Sequence, residues 1–167
     1  EDTTLLQSIN LTTGAISEPF KDIKDQYGLP FHSRITSAKK INEEDLLMTT
    51  LFEGLYIFNV RTQQLFNYRH NAADPATIAI NSPHLIETDN NGWVFLGSAP
   101  NGVSYFKNHA AAAQQVIFLD KQGNGYDGFV NAFATLDNDT YYLAGRGVLL
   151  EWKRSTNTTK FINYTVE

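Results

Sequence analysis

Residues 81–106 read NSPHLIETDNNGWVFLGSAPNGVSYF, and the two glycine turns inside this stretch decide the fold. Asp89-Asn-Asn-Gly92 is a polar turn followed by the apolar run Trp93-Val-Phe95. Asn101-Gly102 is a second turn, followed by Val103-Ser-Tyr-Phe106. Asn-Gly pairs reach positive φ at little steric cost, as tight β-turns require. The stretch therefore reads as two hairpins that share a middle strand.

The same grammar recurs on both sides. The first turn has counterparts in Asn42-Glu-Glu-Asp45 and Asp137-Asn-Asp139, and the second in Glu53-Gly54 and Arg146-Gly147. Apolar runs follow each: Leu46-Leu-Met48 and Tyr141-Tyr-Leu143, then Leu55-Tyr-Ile-Phe58 and Val148-Leu-Leu-Glu-Trp152. A fourth run closes each unit at Leu65-Phe66, Val116-Ile-Phe118 and Phe161-Ile162. The step from Asp45 to Gly92 to Asp139 is 47 residues each time, and Gly54, Gly102 and Gly147 are 48 and 45 apart. Four short strands per period of about 47 residues match the blades of a β-propeller.

The expected fold is all-β: a partial β-propeller of about three and a half four-stranded antiparallel blades. The half blade covers 1–25, with strands at Leu6–Ile9 and Ala15–Ile16, and whole blades cover 32–71, 81–120 and 128–167. Trp93, Phe95, Leu143, Tyr142, Leu47, Phe58, Phe106 and Trp152 are the expected core between blades. One stretch has helical character, His109 to Gln115, in the third-to-fourth strand connection of the middle unit. The chain opens Glu-Asp-Thr-Thr and begins in mid-blade, so it reads as a piece of a longer protein with unsatisfied ends.

Composition narrows the function. A net charge of −5 leaves no electrostatic footprint for nucleic acid, and it would be repelled by an acidic membrane surface. The absence of cysteine excludes disulfides, thiolate metal sites and cysteine nucleophiles. No Walker loop, His-Glu-x-x-His or Gly-x-Ser-x-Gly occurs. Asp120-Lys-Gln-Gly-Asn-Gly125 has part of a calcium-loop spacing, but Asn131 stands where a bidentate Glu is wanted. The carboxylates Glu87 and Asp89 share a strand face, and Asp89 is committed to its turn, so no acid/base pair is assigned. The reading is of a chain with no catalytic residues, no metal and no cofactor.

Residues 81–106 also resemble the two-component regulator propeller repeat, through Asp89, Gly92, Gly97, Gly102, Val103 and Phe106, with Phe95 at the usual Trp position. The resemblance implies the periplasmic sensor region of a gut-bacterial hybrid two-component histidine kinase. It implies a non-catalytic segment that detects an oligosaccharide or other small ligand, signals to a kinase and transcription regulator elsewhere, and meets the membrane only through the parent protein. Further blades of that parent, or self-association, would cover the open ends. The alternatives are a propeller enzyme (a polysaccharide lyase or hydrolase) and a protein-interaction scaffold. In antiparallel blades the second-to-third and fourth-to-first connections emerge together. Tyr27, His32, Arg34, Phe52, His84, Asn101, Tyr126 and Arg146 on those loops are the candidate ligand contacts, since rings and polar planar groups together suit sugar recognition.

Overall fold

A computed structural model describes residues 7–18, 21–98, 102–107 and 112–163, with backbone alone at Asn163. It contains fourteen strands and, among the described residues, no helix. A short hairpin, β1 (Ser8–Ile9) with β2 (Ile16–Ser17), comes first. Three four-stranded antiparallel sheets follow, each a meander in chain order. Sheet I is β3 (Ile35–Lys40), β4 (Asp45–Thr50), β5 (Leu55–Asn59) and β6 (Gln64–Tyr68). Sheet II is β7 (Leu85–Thr88), β8 (Trp93–Ser98), β9 (Gly102–Lys107) and β10 (Gln114–Val116). Sheet III is β11 (Val130–Thr135), β12 (Thr140–Gly145), β13 (Val148–Lys153) and β14 (Thr158–Asn163).

Strand residues alternate between two faces, and here both faces of the middle strands are apolar. In β8, Val94 and Leu96 point towards sheet I and pack with Leu47, Leu55 and Phe106. Phe95 between them points the other way, into a seam with Tyr141, Leu143, Leu150 and Trp152 of sheet III. The near face of sheet I (Met48, Tyr56, Phe58 and Leu65) is closed by Phe31 and Ile23 from the segment before β3. The first strands of neighbouring sheets lie together, β3 against β7 and β7 against β11. Among the described residues no comparable approach joins the fourth strands, so each seam is a wedge that opens outward.

Two glycines set the inner hairpins. Gly54 and Gly102 have φ of 81° and 70°, and a Cβ on either would run into a carbonyl of the adjoining fourth strand, that of Tyr68 or of Val116. Any side chain there would meet both the backbone strain and the collision.

Sheet III departs from the glycine alignment. Gly145 pairs with Val148 across a two-residue turn, so Val148, not Gly147, stands where Gly54 and Gly102 stand. Tyr142 consequently aligns with Leu47 and Phe95 on the face turned away from sheet II. It was expected in the core, yet it is half-buried, because among the described residues no sheet covers that face; Tyr141 is the fully buried neighbour. Trp93 is also only half-buried, at the end of its seam with Arg154 over its ring. Phe95, Leu143, Leu47, Phe58, Phe106 and Trp152 are buried as expected. Gln114 and Gln115 are in a strand, because β10 pairs with β9; His109 lies outside the described residues. In the N-terminal hairpin Ile9, Leu11 and Ile16 are 59%, 96% and 62% exposed, an apolar surface without cover.

Truncating Trp152 to Ala should cost about 3–5 kcal/mol in urea unfolding, since it removes the ring on which Phe118, Tyr105 and Tyr141 pack. Tyr142→Ala should cost less than about 1 kcal/mol. Equal costs would contradict the assigned faces.

Candidate functional site

The second-to-third and fourth-to-first connections do emerge at one end of the sheets. Gly54 N–H donates to the Asn81 carbonyl, and His84 N–H to that of Gly97, tying the β6–β7 connection to the inner hairpin of sheet I and to the end of β8. Two groups of candidate residues form on this end. His84 is half-buried, with Nε2 3.0 Å from the Val130 carbonyl and its ring edge-on to Phe129 at 5.0 Å. Tyr126 donates its hydroxyl to the Phe129 carbonyl at 3.0 Å and lies over Gly145, where a Cβ would strike the phenol. The Arg146 N–H is turned towards that same hydroxyl. His84, Tyr126 and Arg146 are thus gathered around an exposed Phe129, a ring the candidate set did not include.

The second group belongs to sheet I. Leu51 N–H donates to the Arg34 carbonyl at 3.0 Å, which sets exposed Arg34 beside the loop that carries exposed Phe52. That loop is held from behind. Tyr56 donates to Glu53 at 2.9 Å, Glu53 pairs with Arg69, and the buried Asn67 amide donates to the Glu53 carbonyl at 2.8 Å. Phe52 is therefore an exposed ring on an anchored loop. His32 is exposed, Phe31 beside it is buried edge-on to Tyr56, and Asn101 lies outside the described residues.

Tyr27 sits elsewhere, at the mouth of a cleft of about 500 Å³ between sheets I and II. The neighbouring Gln26 caps the open edge of β6: its carboxamide accepts from Asn67 N–H at 2.7 Å and donates to Asn67 C=O at 2.6 Å, as a paired strand would. Ile57, Asn59, Phe66 and Tyr68 line the cleft wall; Ile57 and Phe66 belong to the repeated apolar runs, and none of the four was among the candidate ligand contacts.

The acidic candidates are occupied by structure. Asp89 Oδ1 accepts from Asn91 and Trp93 N–H, and Oδ2 from the Tyr141 hydroxyl at 2.8 Å. Glu87 is ion-paired to Lys39 across the first seam. In the calcium-like loop Asp120 accepts from the Asn124 side chain and from Gln122 and Asn124 N–H, which lowers its pKa and makes it the anchor of a turn. Among the described residues no group of three or more His, Cys, Asp or Glu could hold a metal.

Compared with protein-family models and with curated protein sequences, the chain matches none. It does match solved structures. One is named as the extracellular domain of hybrid two component system BT3049 from B. thetaiotaomicron, with TM-score 0.69 and 12% identity over 91% of this chain and 21% of that one. Two are of the extracellular domain of BT4673 from the same organism, called a one component system in one and a hybrid two component system in the other. Their TM-scores are both 0.63, with 15% and 14% identity over 89% and 90% of this chain and 19% of each of those. At such identities the likeness is one of fold, and the chain spans about a fifth of the length of these domains.

The loop anchors carry a pH signature. Burial first, and then donation to a carboxylate (Glu53 and Asp89), pushes the phenols of Tyr56 and Tyr141 from 10.0 up to about 12. The fold favours the neutral phenol, so this stability is fully present below pH 10.0 and is lost as pH rises through about 12. Urea midpoints should fall across that window, and less steeply in Tyr56→Phe and Tyr141→Phe. An unchanged slope in both variants would contradict it.

Proposed function

We propose that the chain is a run of consecutive blades from a larger β-propeller in the extracytoplasmic, periplasmic sensing region of a two-component sensor. The observation that carries this reading is the wedge-shaped seam repeated between successive meanders, in a chain that shares the fold of extracellular sensor-system domains over about nine-tenths of its length. A wedge added at every step turns the stack about the side where the first strands meet, and propellers close in typically four to eight such steps. The far face of sheet III fits a further blade. Tyr142, Leu149 and Glu151 occupy there the positions that Phe95, Val103 and Tyr105 fill in the buried second seam. Further blades of the parent chain cover it, and the same holds for the exposed apolar hairpin ahead of sheet I.

The segment is non-catalytic in this reading. Glu87 is held in an ion pair and Asp89 in its turn, and what the loop end presents is recognition chemistry. Exposed Phe52 and Phe129 offer flat apolar faces, and Arg34, Arg146 and His84 add polar groups on the loops of the same end. Sugars present the complementary pattern, apolar ring faces bordered by hydroxyls, so an oligosaccharide is the proposed ligand. Binding stabilises one arrangement of the rigidly packed blades, and the parent's kinase and transcription regulator read that bias.

An oligosaccharide that binds only the native state raises its melting temperature, by the equivalent of about 2.7 kcal/mol at a hundredfold excess over Kd. A thermal-shift panel of oligosaccharides on the full-length parent protein should show one such ligand, with the shift reduced in Phe52→Ala and Arg146→Ala. A panel without any shift, or a shift indifferent to both variants, would overturn the reading.

A further inference from the structure

We propose that the outward cleft between sheets I and II is a separate binding site for a small, neutral, flat aromatic molecule of the phenol or indole class. The argument rests on a comparison of the two seams in one register. Leu47 pairs with Ile57 as Phe95 pairs with Tyr105, so Asp45, Ile57 and Asn59 of sheet I correspond to Trp93, Tyr105 and Lys107 of sheet II. On the facing sheets Phe106 corresponds to Trp152. In the second seam these positions make a continuous cluster of tilted and edge-on rings. Trp93 and Tyr105 lie 5.7 Å apart, Tyr105 and Trp152 5.3 Å, and Arg154 covers Trp93 at 4.5 Å. In the first seam a carboxylate, an aliphatic chain and an amide replace two rings and a lysine. The space they leave is the cleft of about 500 Å³, within the range that takes a small organic ligand.

The lining selects the class. Leu55, Ile57, Ile78 and Phe106 form the apolar walls, and Phe66 presents a partly exposed ring. The charges at the cleft are engaged within the protein: Asp45 accepts from the Asn42 and Asn59 amides, and Arg69 is held by Glu53 and Asn67. A charged ligand would lose its hydration without gaining an unengaged counter-charge, which disfavours it strongly. Tyr27 and Tyr68 both line the cleft and supply hydrogen bonds to a hydroxyl or N–H on the ring edge. A flat ring fills the place of the rings that the second seam supplies from its own side chains. This site does not depend on the oligosaccharide reading, and its failure would leave that reading standing.

The test titrates the full chain with 2-naphthol and with indole, by calorimetry and by the change in thermal unfolding. Saturable binding at one site is expected. Ile57→Tyr places the second seam's own residue in the cleft, and Ala113→Leu fills it from the opposite wall. Either should keep the melting temperature or raise it, and weaken binding by about tenfold or more. Leu136→Ala, at an exposed position of the turn between β11 and β12, should bind as the unsubstituted chain does. No saturable binding, undiminished affinity in both well-folded filling variants, or equal competition by glucose would overturn the proposal.

Discussion

A β-strand sends successive side chains to opposite faces, and in sheet II both faces are apolar. Val94 and Leu96 must be covered on one side and Phe95 and Val103 on the other, so no two-layer arrangement satisfies this sheet. Stacking sheet on sheet is the consequence, and it imposes the same need on the neighbours. Sheet I meets it on its near side with Phe31 and Ile23 from a connecting segment. Sheet III leaves it unmet, with Tyr142, Leu149 and Ile162 half-buried on an uncovered face.

The wedge between stacked sheets divides the surface into two kinds of opening. At the strand ends the inner hairpin of sheet I is pinned to the connections before and after it by backbone bonds beside Phe52, and His84 is held by the Gly97 and Val130 carbonyls. Along the outer strands the sheets diverge, and the gap is filled only as far as side-chain volume allows. Seam two is filled by its rings, whereas seam one remains open. One scaffold thus offers a loop-borne surface and a groove between sheets, each tuned by a few residues and neither requiring a change of fold.

Much of the fold was legible because each strand end is marked by residues that turns demand. Asp89 and Gly92, or Asn59 at the end of β5 with its carbonyl and side chain accepting from the following turn, define ends whatever the core contains. Register was legible only where turn lengths agree. The turn at Arg146-Gly147 is shorter than those ending at Gly54 and Gly102, so the three glycines are not equivalent in register, and Tyr142 falls on the face that no described sheet covers. The loop candidates were legible as loop residues, but Tyr27 folds back over the outer strand instead of joining the others. The cleft was not legible at all. It depends on which residues of consecutive repeats face one another, a pairing that appears only once the sheets are stacked.

The central claim is that the sheets fan out from a shared inner edge. Pulsed electron-spin distances in the full chain test it, with one label pair on the inner strands at Ala38 and Ala132 and another on the outer strands at Gln64 and Thr158. All four positions are exposed. The account predicts a clearly shorter distance between the inner labels than between the outer ones. Equal distances would mean parallel layers instead of a fan, and would contradict it.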